Sequence, residues 1–282
     1  MKYKRLFLIA GYSAQNKVDA SLVFMVKTLS NFGDIVLVMD SDVSKTELEK
    51  LSPYVIYAAA ERHKEYDFGS YKRAYLYAKE SDILSEYDFL YLVNDSIYGP
   101  LYQMDFFFDQ MEKSNADAFG LVCNPHKEHS HIQSWFIGMR QSVFMTKWFG
   151  KFITSVTHQD SKGAITYLYE QGFTRLIEAN KKTWKCIYSI PGRGIYNDIK
   201  KVYRKGLPFM KKVAFTRHNG ALGRQILYVL NHTNSEARNA IIAGAKDTFG
   251  EQYINWLLTK NPIKILVRNI KYFTKKIFTE GL

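Results

Sequence analysis

Residues 89–96 read Phe-Leu-Tyr-Leu-Val-Asn-Asp-Ser, an apolar run that ends abruptly in three polar residues. The run predicts a buried β-strand, because continuous apolar stretches of this length are typical of strands covered on both faces. Residues 4–10 and 34–39 have the same character, whereas residues 18–31 and 70–81 have helical periodicity. Strands that alternate with crossover helices predict an α/β fold, in which helices flank a parallel-rich sheet.

The other elements predicted in the first half are strands at residues 54–60, 118–122 and 132–140 and a helix at residues 102–114. The second half of the chain has a different pattern. From about residue 142 onward the periodicity is helical, apart from an irregular patch around Pro191 and Gly192. We therefore predict an α/β domain over residues 1–212 and a helical C-terminal part over residues 213–282.

Composition excludes some classes of protein. With 282 residues and 46% hydrophobic content the chain can bury a full core, which excludes a disordered protein. Cys123 and Cys186 form neither a disulfide framework nor a zinc motif, so we predict a reducing, cytoplasmic setting. No stretch reaches the roughly 18 apolar residues of a membrane span, so membrane contact is expected to be peripheral. The net charge of +12 favours nucleic acid, anionic lipid or pyrophosphate-bearing substrates as partners.

Ligands of open α/β sheets bind beyond the carboxyl ends of the strands, so residues that follow a strand are the first candidates for a site. Gly11 and Tyr12 follow the first strand and could let a nucleotide approach the backbone, although an ordinary tight turn explains them equally well. Asp40-Ser41-Asp42 follows the second strand, and such paired carboxylates suit a divalent cation. On so early a strand we expect Asp40 to face the nucleoside instead, with solvated loop acids as the structural alternative.

Asn94, Asp95 and Ser96 close the most apolar strand of the sequence. Delivering a carboxylate and two polar neighbours to the edge of a sheet on a buried strand is costly unless something binds there. This context favours a binding site over a structural turn.

Residues 66–73 read Tyr-Asp-Phe-Gly-Ser-Tyr-Lys-Arg and open a predicted helix. Ser70 can cap this helix, and the exposed amide groups together with Lys72 and Arg73 suit a pyrophosphate. The stretch also contains the Asp-Phe-Gly tripeptide that binds metal in protein kinases. A kinase is excluded, because neither a Gly-rich loop nor a His-Arg-Asp catalytic loop precedes it.

The segment from His126 to His131 contains three histidines and a glutamate. Its irregular spacing favours a polar loop over a metal cluster. His131, Gln133 and Trp135 would share one face of the predicted strand at residues 132–140, because side chains alternate along a strand. Polar groups beside an aromatic ring suit a sugar, so these three are candidates for an acceptor or sugar site.

Five pieces of the sequence occur together in the order of one protein family. They are Tyr66 to Lys72, Val93 to Pro100, His131 to Phe136, Tyr169-Glu170 and Gly206 to Lys211. In combination they resemble the rhamnan synthesis F proteins of bacterial polysaccharide clusters, over roughly residues 60–212. The resemblance implies a glycosyltransferase with a GT-A-like nucleotide-sugar fold. Such an enzyme transfers rhamnose or a related sugar from a nucleotide-sugar donor onto a growing, lipid-linked glycan.

The resemblance also implies roles for single residues. Asp67 and Lys72 look like donor-site residues, and Glu170 looks like an acidic residue that faces the acceptor. We predict Glu170 as the general base toward the acceptor hydroxyl, with a carboxylate on the helix surface as the alternative. Residues 94–96 look like the counterpart of the Asp-x-Asp metal motif, with Asp95 as the catalytic and metal-binding carboxylate. Because this segment keeps one carboxylate and not two, dependence on a divalent cation, Mg or Mn, is left open.

Parts of the sequence are compatible with three classes of function. The leading one is an enzyme that displaces a nucleoside diphosphate from a sugar while a carboxylate deprotonates the acceptor hydroxyl. A nucleic-acid-binding protein is disfavoured, because no motif of the known modules occurs and the 20 tyrosines fall largely inside apolar runs. A catalytically silent sugar-binding or scaffold subunit stays open, since a single carboxylate at the metal position could mean lost chemistry.

Residues 261–280 predict a basic amphipathic helix, and Pro262 suits its first turn. The apolar residues recur at three- and four-residue steps and are Ile263, Leu266, Val267, Ile270, Phe273 and Ile277. The basic residues follow the same period on another face and are Lys264, Arg268, Lys271 and Lys275. This pattern is typical of helices on an anionic membrane surface, here the inner face of the cell membrane. Packing of the apolar stripe on the helical half of the protein is the alternative.

Overall fold

The structure is a computed structural model that describes residues 3–126, 128–216 and 220–270. The strands are β1 (Arg5–Gly11), β2 (Asp34–Met39), β3 (Tyr57–Ala60), β4 (Phe89–Asn94), β5 (Ile97–Tyr98), β6 (Ala118–Asn124), β7 (His131–Ile132), β8 (Phe136–Arg140), β9 (Trp184–Ser189) and β10 (Met210–Lys211). The helices are α1 (Ala20–Leu29), α2 (Lys45–Leu48), α3 (Tyr66–Glu80), α4 (Asp105–Glu112), α5 (Gln141–Phe144), α6 (Lys147–Thr154), α7 (Lys162–Ile165), α8 (Gln171–Ala179), α9 (Gly194–Asn197), α10 (Ile199–Arg204), α11 (Gly220–His232), α12 (Ser235–Phe249) and α13 (Glu251–Leu257). A π-helical turn, Thr166–Glu170, joins α7 to α8, and residues 262–270 are helical.

The chain divides into two compact units. Unit 1 comprises Met1–Val18, Leu22–Asp95 and Gln103–Gly192. Unit 2 comprises Asp19–Ser21, Ser96–Tyr102 and Arg193–Leu282. The packing division after Gly192 therefore falls earlier in the chain than the domain boundary predicted at residue 212.

Unit 1 is built on one mixed sheet with the strand order β3-β2-β1-β4-β8-β6-β7, and β9 pairs with β6. β1 is parallel to both β2 and β4, and β6 is parallel to β9. β8 is antiparallel to its neighbours β4 and β6. Every residue of β1 and of β4 is buried, as their continuous apolar sequence predicts. The predicted α/β fold with a parallel-rich sheet and flanking helices is confirmed.

One face of the sheet forms the main core of unit 1 with helices α3, α6 and α8. Leu6 and Leu8 of β1 share this core with Tyr71 of α3, Phe149 of α6 and Phe173 of α8, and none of the five is exposed to solvent. Burying an aliphatic or aromatic side chain of this size contributes about 1.5–3 kcal/mol. The core therefore fixes α3, which carries two of the predicted site residues, against the centre of the sheet.

The opposite face carries an aromatic cluster around a buried ion pair. The ring centre of Tyr91 lies 5.1 Å from that of Phe7 and 5.3 Å from that of Phe108 in α4. Arg5 donates to both carboxylate oxygens of Glu112, over 2.5 and 2.7 Å, and the Tyr91 hydroxyl donates to the same carboxylate over 2.7 Å. Burial alone would lower the pKa of Arg5, but the hydrogen bonds and charge of Glu112 outweigh it and raise that pKa.

Unit 2 is mainly helical and contains the antiparallel pair of β5 with β10. In its core the ring centres of Tyr98 and Phe215 lie 5.0 Å apart, among apolar residues of α10 to α13. Ile199 and Met210 belong to the same core, so residues 193–211 pack with the C-terminal helices.

The structure corrects two predicted elements of the first half. α3 begins at Tyr66, so Ser70, which was expected to cap this helix, lies inside it and is 1% exposed. The strand predicted over residues 132–140 is two strands, β7 and β8, because the chain leaves strand geometry at residues 133–135.

The prediction that the chain is helical beyond residue 142 is wrong at β9. This strand extends the sheet of unit 1 by pairing with β6, with Ala118 opposite Trp184 and Gly120 opposite Cys186. Its residues are only partly buried or exposed, so the apolar run that marks a central strand is absent from its sequence. Pairing with β6, a contact distant in sequence, decides its conformation.

Within the described residues, no helix combines the length and the apolarity needed to cross a bilayer. In the helix at residues 262–270 the exposed apolar side chains are Ile263, Leu266, Val267 and Ile270. Arg268 was predicted on the basic face of this helix but is buried, and it donates to the main-chain carbonyls of Trp256 and Leu257. The rest of the predicted helix, residues 271–280, lies outside the described residues.

We expect Glu112→Ala to lower the free energy of unfolding by about 3–5 kcal/mol, because it leaves the buried Arg5 guanidinium without its partner. Equilibrium denaturation in guanidinium chloride measures this change. Asp109→Ala is the matched control on the same helix, where it removes an exposed pair with Lys113 and should change stability little. Equal losses in the two variants would contradict a stabilising role for the buried pair.

Candidate functional site

Polar residues of three neighbouring strands meet at one edge of the sheet in unit 1. Since β1 lies between β2 and β4, the ends of these strands place Gly11, Asp40 and Asn94 side by side. The Asp40 N–H donates to the Gly11 carbonyl over 2.9 Å, and the Asp95 N–H donates to the Ala10 carbonyl over 3.0 Å. The structure thus brings together the three strand ends that were predicted separately, at the place where open α/β sheets bind ligands.

Tyr12 and Asp40 lie on the β2 side of this edge. The Tyr12 N–H donates to Oδ2 of Asp95 over 3.2 Å, and the Arg62 guanidinium lies 5.0 Å from the centre of the Tyr12 ring. Arg62 also donates to the Asp40 carbonyl over 2.6 Å, and the Lys64 N–H donates to the Asp40 carboxylate over 3.0 Å. Tyr12 is 48% exposed and Asp40 only 7%, so the tyrosine offers an accessible ring while the carboxylate holds the following loop.

Helix α3 supplies the other side of the edge. Nδ2 of Asn94 donates to Oδ2 of Asp67 over 2.7 Å. Asp67 lies in the first turn of α3, where a carboxylate interacts favourably with the helix dipole. Two residues that the family resemblance assigned to the donor site therefore contact each other directly.

Tyr71 lies one turn further along α3 at the centre of the site. It is fully buried, and its hydroxyl donates to the main-chain carbonyl of Ser134 over 3.1 Å. Burial raises the pKa of Tyr71 well above its usual value, and the charges of Asp67, Asp95 and Glu170 raise it further. The hydroxyl thus stays protonated, within electrostatic reach of three carboxylates that come from different parts of the chain.

Glu170 ends the π-helical turn, and its carboxylate receives two donors. Nε2 of His131 lies 3.0 Å from Oε1, and the hydroxyl of Ser134 donates to Oε2. Turns of this kind inside α-helices are frequent at functional sites. Since the carboxylate stands between the serine and the histidine, Ser134 is not activated as in a Ser-His-Asp triad, where the histidine contacts the serine.

His131 carries a positive charge. Its Nδ1 faces the main-chain carbonyl of His129 at 2.5 Å, and its Nε2 faces the Glu170 carboxylate, so both partners are acceptors and both ring nitrogens must donate. Burial alone would lower the pKa of His131, but the hydrogen bonds to Glu170 and His129 outweigh burial and raise it. A buried imidazolium therefore orients the carboxylate of Glu170.

His63, in the loop before α3, is neutral by the same reasoning. Its Nδ1 accepts from the Glu65 N–H over 3.1 Å, so its Nε2 carries the proton and donates to the Ser70 hydroxyl over 2.9 Å. Burial lowers the pKa of His63, and its 3.8 Å contact with Asp40 is therefore not an ion pair. A Cβ on Gly69 would lie 2.3 Å from the Glu65 side chain and 2.8 Å from His63, so close packing of this loop requires the glycine.

The side chain of Lys72, a predicted donor-site residue, has two partners within unit 1. Its Nζ lies 2.7 Å from the Glu65 carboxylate and donates to the Val156 carbonyl over 2.7 Å. Its neighbour Arg73 pairs with Glu61 and Glu65. Both cations hold the loop before α3 in place, and a role of Lys72 toward a phosphate stays a prediction.

Gln133 and Trp135 are buried, at 8% and 3% exposed, and the indole N–H of Trp135 donates to Oε1 of Gln133 over 2.7 Å. The alternation that placed them on one face with His131 is wrong, because the chain is not a strand between β7 and β8. Of the three, His131 contacts Glu170 directly. Their predicted roles in binding a sugar stay predictions.

Ser96 lies in unit 2, although its neighbour Asp95 lies in unit 1. Nζ of Lys211 donates to its hydroxyl over 2.6 Å, and the Lys212 N–H donates to its carbonyl over 2.9 Å. The two family pieces around residues 93–100 and 206–211 thus meet through β5 and β10 in unit 2.

Three contributors to the site in unit 1 were not among the predicted residues: Arg62, Tyr71 and Ser134. Tyr71 and Ser134 lie inside pieces that match the family, which is the signal that could have found them. Arg62 has no such signal, because its contact with the Tyr12 ring depends on how the loops after β1 and β3 fold.

The described residues contain no group of three or more His, Cys, Asp or Glu side chains that could hold a metal ion. Mg²⁺, however, is commonly bound by one or two carboxylates, while water and substrate phosphates complete its shell. Asp95, at a strand end beside the Tyr12 N–H, fits a site of that kind.

A family profile described as rhamnan synthesis protein F matches residues 35–278. No curated protein sequence matches the chain. A protein described as a nucleotide-diphospho-sugar transferase, from Desulfovibrio desulfuricans G20, has 14% identity over 80% of this chain and 98% of its own, with a TM-score of 0.44. The glycosyltransferase GlyE of Streptococcus pneumoniae TIGR4 has 11% identity over 98% of this chain and 64% of its own, with a TM-score of 0.42. Core-mannan synthase A of Aspergillus fumigatus, in a Mn/GDP form, has 10% identity over 64% of this chain and 72% of its own, with a TM-score of 0.38.

Similarity to solved structures at these TM-scores carries no argument about the chemistry of this chain. The family match extends over more than half of the sequence and includes every piece from Tyr66 to Lys211. Those pieces are also in contact in the fold, where Asn94 binds Asp67 and His131 binds Glu170. The chain therefore belongs to the rhamnan synthesis protein F family, the bacterial polysaccharide glycosyltransferases that its motifs resemble.

Proposed function

We propose that this chain transfers rhamnose or a related sugar from a nucleotide-sugar donor onto a lipid-linked glycan at the cytoplasmic face of the membrane. One observation carries the proposal: residues from separate family pieces are joined by hydrogen bonds near the carboxyl edge of the sheet. Asn94 donates to Asp67, and Ser134 accepts from the Tyr71 hydroxyl and donates to Glu170. Three carboxylates gathered from separate segments are costly for folding alone, and such clusters are typical of catalytic sites.

The donor belongs on the β2 side of the site. Tyr12 has an accessible ring that suits stacking on a nucleobase, and Gly11 and Asp40 flank it at the ends of β1 and β2. Asp95 and Asn94 then face the diphosphate, with Asp67 behind Asn94. A divalent cation, when bound, would be held by Asp95 together with the donor phosphates and would neutralise charge on the leaving group.

Glu170 belongs on the acceptor side. In the proposed step the acceptor hydroxyl oxygen bonds to the anomeric carbon of the sugar, and the bond from that carbon to the phosphate oxygen breaks. The nucleoside diphosphate departs with the electron pair, and Glu170 takes the proton of the hydroxyl. His131 and Ser134 hold the carboxylate in one orientation for this transfer.

Incubation with a panel of sugar nucleotides, followed by measurement of released nucleoside diphosphate, tests the proposal. If the chain is an enzyme, it releases nucleoside diphosphate from one or a few of the donors, and the rate of release is higher when an acceptor is present. A silent sugar-binding or scaffold subunit binds sugars and releases none, with or without Mg²⁺ or Mn²⁺.

Asp95→Asn should lower the transfer rate at saturating donor by at least about 10²-fold, because it weakens the carboxylate that would hold a divalent cation against the donor phosphates. Steady-state kinetics with the best donor of the panel measure the rate, and thermal melting checks the fold. Asp160→Asn, which neutralises an exposed carboxylate of unit 1, is the control and should keep the wild-type rate. Near-normal transfer by Asp95→Asn would show that this strand end is not the catalytic edge.

Glu170→Gln should lower the transfer rate by about 10²–10⁴-fold, because the amide keeps the size of the side chain but cannot accept the proton. Donor affinity should stay near the wild-type value. Glu178→Gln, on the following helix α8, is the matched control and should have little effect on rate. The base assignment fails if Glu170→Gln weakens donor binding and leaves the rate unchanged.

The proposal extends to an anionic membrane surface as partner, through the C-terminal segment at residues 261–280. In support, the apolar side chains at positions 263, 266, 267 and 270 are 43–71% exposed and do not pack into the core of unit 2. Arg268 anchors this helix to the main chain of unit 2, so its exposed stripe is held on a folded support. Exposed apolar side chains beside basic residues suit the headgroup region of a bilayer.

Leu266→Asn with Ile270→Asn should reduce binding to vesicles that contain phosphatidylglycerol by at least about tenfold, because two exposed apolar side chains of the stripe are lost. Co-sedimentation measures binding, and the melting temperature should stay unchanged since both side chains are exposed. Ile56→Asn with Phe106→Asn, at exposed apolar residues of unit 1, is the control. A drop in melting temperature for the stripe variant alone would instead indicate packing within the protein.

A further inference from the structure

Unit 2 carries nearly all of the net charge of the protein. By sequence it contains 17 Lys and Arg residues against 6 Asp and Glu residues, a net charge of +11, whereas the whole chain has +12. Unit 1 is therefore almost balanced. Long-range attraction of anions depends on net charge and therefore acts mainly through unit 2.

A basic cavity in unit 2, shallow and open to solvent, concentrates part of this charge. It has a volume of about 480 Å³ and is lined by Lys200, Lys201, Arg204, Lys205 and Gln225. No acidic residue among those described lines it. All four cations are exposed, because α10 turns Ile199, Val202 and Tyr203 into the core of unit 2.

The four cations repel one another. Lys200 with Arg204, and Lys201 with Lys205, are like charges four residues apart, and such pairs destabilise a helix. Within the described ranges none of the four forms an ion pair with Asp or Glu, and Lys200 lies instead 4.3 Å from the centre of the Tyr228 ring. The repulsion is thus left uncompensated by the described part of the protein.

The wall of the cavity is fixed in place. Gln225 of α11 accepts from the Lys200 N–H over 3.0 Å and donates to the Asn197 carbonyl over 3.1 Å, which ties the start of α10 to α11. Tyr203 donates its hydroxyl to the His232 carbonyl over 2.8 Å, which ties the other turn of α10 to the end of α11. The cations therefore project from a supported helix and not from a mobile loop.

We propose that this cavity binds a phosphate-bearing anion. Two or more phosphate groups would neutralise the clustered cations, and guanidinium and ammonium groups are the usual protein ligands of phosphate. The same chemistry is presented by a soluble diphosphate and by the phosphate headgroups of an anionic lipid surface. The cavity is made of residues of unit 2, whereas the proposed donor and catalytic residues Asp67, Asp95 and Glu170 lie in unit 1.

The test uses the full chain and two probes. The first is inorganic pyrophosphate, with binding measured by calorimetry; the second is vesicles of phosphatidylcholine with or without phosphatidylglycerol, with binding measured by co-sedimentation. The cavity variant combines Lys201→Gln, Arg204→Gln and Lys205→Gln. The control combines Lys147→Gln, Lys151→Gln and Lys162→Gln, which removes three exposed positive charges from unit 1. Arg204→Gln alone is measured in parallel, as a minimal change that does not depend on the fold of the triple variant.

The cavity variant should bind pyrophosphate or anionic vesicles about 10²-fold more weakly than the wild type, while the control stays within about twofold. Arg204→Gln should show part of the loss. A loss confined to pyrophosphate identifies a soluble phosphate ligand, and a loss confined to anionic vesicles identifies lipid headgroups. Wild-type affinity of the cavity variant for both probes, an equal loss in the control, or no binding of either probe by the wild type would overturn the proposal.

Discussion

The parallel pairing of β1 with β2 on one side and with β4 on the other is the constraint on which the fold and the site of unit 1 depend. The pairing aligns Gly11 with Met39 and Ala10 with Asn94, so the chain leaves all three strands at the same level. The backbone bonds of Asp40 to Gly11 and of Asp95 to Ala10 follow directly from that register. A shift of β1 by one residue would turn Arg5 away from Glu112, so the buried ion pair helps to fix the register and with it the site.

Hydrogen-bond partners and protonation explain how polar groups are tolerated so close to the core on both faces of the sheet. On one face Glu112 is neutralised by Arg5 and hydrogen-bonded by Tyr91, away from the proposed site. On the other, Tyr71 stays protonated among carboxylates, because burial and their charges both raise its pKa. In the first arrangement the charge of Glu112 is already neutralised by Arg5. In the second, the charges of several carboxylates act on a neutral hydroxyl. Only the second arrangement therefore suits a cationic or proton-donating ligand.

Two histidines of unit 1 show that partners, and not burial alone, decide charge. Both are desolvated, but His63 receives an N–H from Glu65 on one nitrogen and is neutral, whereas His131 faces acceptors on both nitrogens and is charged. The pKa of the first is lowered and that of the second is raised. The neutral histidine packs the loop before α3, and the charged one orients Glu170, so the two have separate tasks in the same unit.

The sequence by itself determined the α/β class, the central strands and the family. Continuous apolar runs and short motifs are local features, so they can be recognised without knowledge of tertiary contacts. It also predicted Asp67, Asn94, Asp95 and Glu170 as site residues, and the structure places Asn94 in contact with Asp67. It did not predict β9, whose partly exposed residues become a strand by pairing with β6, nor the break between β7 and β8 that buries Trp135. Only the tertiary structure decided that Glu170 meets His131 and Ser134, that Lys72 binds Glu65, and that Arg268 turns inward. Each of these three results depends on contacts between residues that are distant in the chain. Burial and hydrogen bonding decide which partners such residues have and whether they are protonated, and no local sequence pattern encodes either.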